Sequence, residues 1–383
     1  MKKQKICIIG GGLSGLATAS ALADLDVDID LVSAKMNQNL FSNRTVAISQ
    51  NNLSFFDFTE TKFWPCKKMK LFSQGKEESF FKIFDLEKNN RKIFYVIENS
   101  KLIKSIFKKI NEKKNVNLKA DEMVTKIDSS GLLKKVEFKK HSSKYNLIIL
   151  CAGKNSNLTK NIFNDNSLQS SYEEVSITTI VNHTAFKNDT AKQVFLDKGI
   201  FALLPLSNSK TSIVWTVDKN LIQKNDLIIK KNIKILCNDF LKNVKFKNNL
   251  ERNNLNFFIR EKYYDDRILL FGDALHAVHP FAGQGFNMIL RDLKNLKKIL
   301  IERINYGLDI GSTDSLSEFS DQTKPRNFVY SMGLDFLRSC FKPNNKPFKD
   351  LRNIMMTNIN KSDYAKNRIY EIANPDIKFN TTE

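Results

Sequence analysis

A chain of 383 residues is too long for one minimal domain and calls for one large or two interlocked units. With 42% hydrophobic and 27% charged residues, wholesale disorder is excluded, and no apolar stretch approaches the ~18–20 residues that span a bilayer. The net charge is +20, yet only 11 of the 61 basic residues are Arg; Lys and Asn are spread evenly, without the basic blocks interleaved with aromatics of nucleic-acid binders, so no nucleic acid is expected.

Met1 to Lys5 lead straight into an apolar run, with no secretory signal pattern. The five scattered cysteines (Cys7, Cys66, Cys151, Cys237 and Cys340) show no paired spacing. Both features predict a reduced cytoplasmic protein without a disulfide framework or zinc site.

Taken in chain order, Lys5 to Ile9 predicts a buried strand, Leu13 to Leu25 an Ala- and Leu-rich helix, and Asp28 to Val32 a second strand. Gly10-Gly11-Gly12-Leu13-Ser14-Gly15 joins the first two and fits GxGxxG. Gly10 permits the tight turn, Gly12 lets a pyrophosphate approach the backbone, and Gly15 lets helix and strand pack closely. Free amides at the helix start attract the anion. Where an acid should hold the ribose, the chain has Ser33; Asp30 is close but points to the other side if the strand alternates.

Asn99 to Asn111 predicts an amphipathic helix with Leu102, Ile103, Ile106, Phe107 and Ile110 on one face. Tyr145 to Leu150 reads as a buried strand closed by Ala152-Gly153. The pattern then shifts to short strands at Val175 to Val181, Gln193 to Leu196, Phe201 to Pro205 and Ser212 to Val217. Ile268 to Phe271 reads as a buried strand, followed by a glycine-rich turn and a helix from about Gln284 to Ile304. After Pro325 the pattern is mostly helical. The order is α/β, then β-rich, then α/β again. It predicts a dinucleotide domain interrupted by a substrate domain.

The most informative stretch is Gly272-Asp273-Ala274-Leu275-His276, continuing through Pro280 to Gly283-Gln284-Gly285-Phe286-Asn287 and Asp292. A carboxylate delivered by a buried strand suits a polyol, and a glycine-rich helix start can stabilise developing negative charge. This stretch resembles the GD motif of the class A FAD-dependent aromatic monooxygenases, and within them the ubiquinone-biosynthesis hydroxylases. Arg44-Thr45-Val46-Ala47-Ile48-Ser49, Phe63-Trp64 with Met69, and Tyr95 to Asn99 with Leu102 resemble further family segments. The likeness runs from Lys5 to about Asp376.

The resemblance implies a Rossmann-like FAD domain interrupted by a β-rich substrate domain, with C-terminal helices. FAD-binding parts are expected at 1–66, 97–168 and 263–324, substrate parts at 67–96 and 169–262, and a helical region at 325–383. Gly10, Gly12 and Gly15 would surround the FAD pyrophosphate, Ser33 would face the ribose, and Arg44 would lie beside the flavin or its phosphates. Gly272 and Asp273 would bind the ribityl chain. Pro280, Gly283 and Gln284 would border the flavin at the reacting centre, with Gly285 and Asn287 completing the helix start. The implied reaction hydroxylates the ring of a polyprenylated phenol with NAD(P)H and O2, through a flavin C4a-hydroperoxide. Rival readings are a flavin reductase acting on prenyl chains and a weakly active flavin-binding subunit of a biosynthetic assembly. Ser33 and Ala152, where the family has acids, keep the latter in play.

His276 and His279 flank the turn without the further ligands a metal needs, so no metal is expected. His141 and His183 read as surface residues, and Trp64 and Trp215 as core. Ser14 and Ser49 have no base in reach. Two apolar stripes close the chain: Phe328, Val329, Met332, Phe336, Leu337, Cys340 and Phe341, then Phe348, Leu351, Ile354, Met355 and Ile359. Both stripes can simply cover the cofactor domain; alternatively, with Lys346, Lys349 and Arg352, the second can dock reversibly on the inner face of an anionic membrane.

Overall fold

In a computed structural model, which describes residues 3–34, 42–56, 62–75, 79–87, 92–153, 156–163, 167–197, 199–222, 225–278, 283, 285–341 and 346–367, the opening apolar run becomes the centre of a sheet. Gln4–Ile9 pairs in parallel with Val27–Ser33 on one side and Leu147–Leu150 on the other. Val116–Ala120 and Ile268–Leu270 extend the sheet outward, and Tyr264–Asp265 closes one edge antiparallel. Leu147–Leu150 and Ile268–Leu270 are buried throughout, as parallel strands covered on both faces must be.

The described helices are α1 (Leu13–Leu22), α2 (Asn99–Asn111), α3 (Asn157–Phe163), α4 (Asp226–Cys237), α5 (Gly285–Asn305), α6 (Thr313–Phe341) and α7 (Lys346–Lys361). Leu16, Leu102, Ile106, Leu293 and Leu296 from α1, α2 and α5 join the sheet's core. So do Val136, Phe138 and Tyr145 from a three-stranded antiparallel sheet, Val124–Ser130, Leu133–Phe138 and Ser142–Tyr145.

The middle of the chain builds a sheet of nine described strands. Its order is His276–Ala277, Glu251–Arg260, Ser167–Asn182, Lys210–Asp218, Gly199–Ser207, Thr190–Leu196, Lys68–Gln74 and Phe80–Glu87, with Lys245–Phe246 on the end of Ser167–Asn182. Alternation divides its residues between two faces. Ile177, Val194, Phe201 and Ile213 pack with Ile229, Ile233 and Cys237 of α4. The opposite face includes Thr178, Gln193, Ala202 and Ser212 and meets the Arg44 to Ala47 segment. A small antiparallel sheet, Thr45–Ser49, Phe94–Glu98 and Trp64–Cys66, sits between the two, with Thr45 Oγ1 and Ser212 Oγ 3.0 Å apart across the junction.

Several boundaries differ from the sequence expectation. α1 stops at Leu22 because Leu25 bonds back only to Leu22, which tightens and closes the turn. The run Tyr145 to Leu150 breaks at Asn146, whose side chain accepts from the Lys5 amide and whose own amide donates to the Lys5 carbonyl as the chain passes between sheets. Pro325 lies inside α6 rather than before it. A proline costs a helix one backbone hydrogen bond, and burial of Leu316 and Phe319 before it and Leu334 after it holds the two halves in line.

Candidate active site

The glycine loop brings strand, loop and helix into close backbone contact. Gly10 sits at φ +132°, and a Cβ there would meet the Cys151 carbonyl oxygen at 2.5 Å. A Cβ on Gly15 would lie 1.9 Å from the Gly10 oxygen. Only glycine allows strand, loop and helix to approach this closely. Gly12 caps α1 with no side-chain hydrogen bond, so the helix's first amides are not spent on a capping side chain. Ser33 ends its strand, buried, beside Ala120. Asp30 lies on the other face, as alternation requires, where it accepts from Tyr145 Oη at 2.6 Å and pairs with Lys5. Burial opposes ionisation of Asp30, but the bonds from Tyr145 and Lys5 prevail and hold its pKa low.

The second segment meets the first. Gly272 adopts φ +65°, and a Cβ on it would fall 2.6 Å from Ser14 Cβ in α1. The neighbouring Asp273 is solvent-exposed. Even so, surrounding protein desolvates its carboxyl and raises its pKa, against the opposing pull of Arg44 and His276. Arg44 acts on this carboxyl although the sequence separates the two widely. The glycine cradle, the uncapped α1 start and the walled carboxyl fit the diphosphate and polyol of a dinucleotide.

His276 is no metal ligand: its Nε2 lies 3.0 Å from Asp292 Oδ2, and both side chains are buried. Asn327 donates to the same oxygen at 2.8 Å, which ties the Gly272 turn to α5 and α6. Among the described residues no group of His, Cys, Asp or Glu could hold a metal. Asn287, in the first turn of α5, bonds through both ends of its carboxamide. Its Oδ1 accepts from the Ser49 amide at 2.9 Å and from Asn52 Nδ2 at 3.1 Å, and its Nδ2 donates to the Ala47 carbonyl at 2.9 Å. Gly283 lies against Ala47, and Gly285 begins α5. Pro280 and Gln284 lie outside the described residues, as does His279.

Between the small antiparallel sheet and the large one is a cavity of about 150 Å³. Its roof includes Arg44, Thr45, Ala47 and Gly283; its floor is the smaller-residue face of the large sheet, with Thr178, Gln193, Ala202, Leu204 and Val214. Glu251 anchors the roof segment by accepting from Ser42 Oγ and, at 2.8 Å, from the Asn43 amide. Sequence reasoning located the β-rich region but missed these floor residues. Strand alternation sorts them by face; it does not say which face meets the cofactor side.

Other expectations divide. Trp215 packs on the α4 face, away from the cavity, and Trp64 is partly buried with Nε1 donating to Asn188 O at 2.6 Å. His141 is exposed. His183 is not a surface residue: it is buried, with Nε2 2.9 Å from Thr211 Oγ1. Arg352 is not a lipid-facing cation. It is buried, donates to Ser73 Oγ at 2.8 Å and lies over the Phe195 ring. Ile359 likewise packs inward beside Met356, whereas Leu351, Ile354 and Met355 are exposed. In α6, Phe328, Val329, Met332 and Phe336 are exposed. The side chains of Leu337, Cys340, Phe341, Lys346, Phe348 and Lys349 are outside the description.

A family model described as FAD binding domain matches residues 70–315. A mitochondrial ubiquinone biosynthesis monooxygenase of Dictyostelium discoideum is 24% identical, over 96% of this chain and 90% of its own length. A ubiquinone hydroxylase of Neisseria meningitidis is 21% identical, over 92% of this chain and 80% of its own. Among solved structures, p-nitrophenol 4-monooxygenase of Pseudomonas putida superposes with a TM-score of 0.78 at 16% identity, covering 98% of this chain and all of that one. HpxO of Klebsiella pneumoniae, solved with FAD and uric acid, gives 0.77 at 14% identity, covering 97% and 96%. These two likenesses show the fold.

Proposed function

The chain belongs to the FAD-binding-domain family, and on that premise we propose that it hydroxylates the aromatic ring of a polyprenylated phenol in ubiquinone biosynthesis. It is an FAD-dependent monooxygenase with NAD(P)H as co-substrate. The observation that carries the reading is the cavity between Arg44, Ala47 and Gly283 above and the sheet below. The names of the relatives from Dictyostelium discoideum and Neisseria meningitidis supply the quinone precursor.

Bound FAD supplies reduction by NAD(P)H and transfer of one atom of O2 to the ring, the other leaving as water. The chain's own residues bind, orient and shield. Gly10, Gly12 and Gly15 admit the pyrophosphate to the α1 amides, and Ser33 offers the ribose a neutral partner. Gly272 gives the turn its shape, and the Asp273 carboxylate accepts from the polyol while Arg44 balances charge. Gly283 precedes α5 and Gly285 begins it, and the amides of that helix start would favour negative charge on the ring; the sequence resemblance assigns Pro280 and Gln284 to the same side of the flavin. Asn287 keeps Ala47 and Ser49 against that helix. On this reading 1–66, 97–168 and 263–324 are FAD-binding parts, 67–96 and 169–262 substrate parts, and 325–383 a helical region.

The test is single: FAD-loaded protein, NAD(P)H, a prenylated phenol and oxygen-18 gas. Label in a hydroxylated product is expected. Substrate-stimulated NAD(P)H oxidation with an unoxygenated, reduced product would replace the reading with a reductase. No oxidation under any condition would replace it with an inactive flavin-binding subunit.

A prenylated substrate resides in membrane, and α6 and α7 expose apolar residues on a chain of net charge +20. No described helix is long and apolar enough to cross a membrane. The localisation in this reading is cytoplasmic, with these helices docking reversibly on the anionic inner face of the membrane, where other enzymes of the assembly work. Changing Leu351 and Ile354 to Asp should abolish co-sedimentation with anionic vesicles; wild type that fails to sediment at low salt would refute docking.

A further inference from the structure

The cavity floor holds two polar atoms that the fold leaves unused. Thr178 and Gln193 are only 6% and 7% exposed, and Thr178 Oγ1 and Gln193 Nε2 are buried with no hydrogen-bond partner. Both residues line the cavity. Buried polar groups are nearly always paired, so an unpaired one calls for a reason. Here two stand on the same wall of one cavity.

Sheet register sets their relation. Thr178 lies opposite Val214, Val214 opposite Ala202, and Ala202 opposite Gln193. The four form one row across four strands, polar at both ends and apolar in the middle. Three strand spacings put the end Cα atoms about 14 Å apart. Ala202 and Val214 are short enough to leave a shallow bed between them. Ala47 and Gly283 face that bed from above.

We propose that Thr178 and Gln193 select the substrate by holding an aromatic ring that carries oxygen substituents at opposite edges. The ring lies on Ala202 and Val214. Gln193 Nε2, which can only donate, serves an ether, carbonyl or phenolate oxygen; Thr178 Oγ1 pairs with a hydroxyl. This rests on the cavity being the substrate site of the proposed hydroxylase. A plain hydrocarbon ring would leave both atoms unpaired, and a site built to bond an oxygen rejects the analogue that lacks it.

The experiment is equilibrium dialysis of FAD-loaded protein against 4-methoxyphenol, 4-methylphenol and 4-methylanisole, with Thr178→Val, Gln193→Leu and Thr178→Ser as variants. Each apolar variant removes an unpaired buried atom, so unfolding midpoints at or above wild type are expected. For 4-methoxyphenol, Thr178→Val and Gln193→Leu should each raise the dissociation constant about tenfold. Gln193→Leu should leave 4-methylphenol at wild-type affinity, and Thr178→Val should leave 4-methylanisole so. Thr178→Ser should keep wild-type binding throughout. Wild-type affinity of both apolar variants for 4-methoxyphenol, or equal loss for all three ligands, overturns the proposal. So does a fallen midpoint, which would mean the atoms are paired within the fold. Ligand-specific losses in a protein that hydroxylates no phenol would sink the functional reading and spare this one. Hydroxylation with affinities indifferent to both residues would do the reverse.

Discussion

The contact between Gly272 and Ser14 joins the Gly272 turn to α1, the two halves of the proposed cofactor cradle, and its closeness can be measured. In Gly272→Ala two costs add. The residue must keep φ +65°, which costs an L-residue about 1–2 kcal/mol. Its new Cβ must also find room 2.6 Å from Ser14 Cβ and 2.8 Å from Ser14 Oγ, where overpacking costs about 1–3 kcal/mol. The variant should lose roughly 2–5 kcal/mol. Ser14→Gly removes both opposing atoms, so adding it to Gly272→Ala should recover the steric part and leave only the backbone strain. The pair should then couple by about 1–3 kcal/mol, as contacting residues do. Urea unfolding of the four proteins closes the cycle, with FAD content measured alongside because displacement of α1 disturbs the pyrophosphate site. A Gly272→Ala protein with wild-type midpoint and full flavin, or additive effects of the two changes, would refute the reasoning.

Other perturbations follow from single observations. The Asp273 carboxyl has a raised pKa from desolvation, and polyol hydroxyls bond best to its ionised form. FAD affinity should therefore weaken as pH falls through that raised pKa, and Asp273→Asn should bind more weakly at neutral pH and lose this pH dependence; titration of apo-protein at several pH values checks both. Arg352→Glu puts an unpaired carboxylate where a guanidinium meets Ser73 and Phe195, and should destabilise by about 3–5 kcal/mol in urea unfolding. Gly333, inside α6, has open space where a Cβ would go, so Gly333→Ala should stabilise by about 1 kcal/mol, read as a raised midpoint.

The parts of the molecule legible in the sequence are those whose physics is local. The run into Gly10 and the spacing to Gly15 depend on residues a few positions apart, as does the amphipathic face of Asn99–Asn111. Asp30 could be placed on the far face from Ser33 by counting alone. What stayed hidden depends on distant partners. His183 looks like any polar residue until Thr211 approaches it. Arg352 reads as a helix-surface cation because helical spacing does not reveal that Ser73 and Phe195 wait beneath it. Thr178 and Gln193 are ordinary strand residues in sequence, and only the register through Val214 and Ala202 sets them in one row.

Asn287, singled out in the sequence as part of the cofactor-side helix start, has its carboxamide engaged within the protein. As part of the α5 start it suggests a direct bond to the cofactor, yet both ends of its carboxamide hold Ala47, Ser49 and Asn52. The two roles separate by linkage. A direct contact stabilises the folded protein only through bound FAD, so its contribution disappears when FAD is withdrawn. A clamp stabilises with or without it. Asn287→Ala removes three hydrogen bonds, each contributing about 1 kcal/mol net, and leaves the buried Ala47 carbonyl and Ser49 amide in need of new partners. The loss should be about 3 kcal/mol, and equal in urea unfolding with excess FAD and with none. Asn287→Asp keeps the acceptor for Ser49 but sets a carboxylate against the Ala47 carbonyl, so it should not rescue. Because Ala47 roofs the cavity, 4-methoxyphenol should also bind Asn287→Ala more weakly. A loss seen only in excess FAD would make Asn287 a cofactor contact and not a clamp.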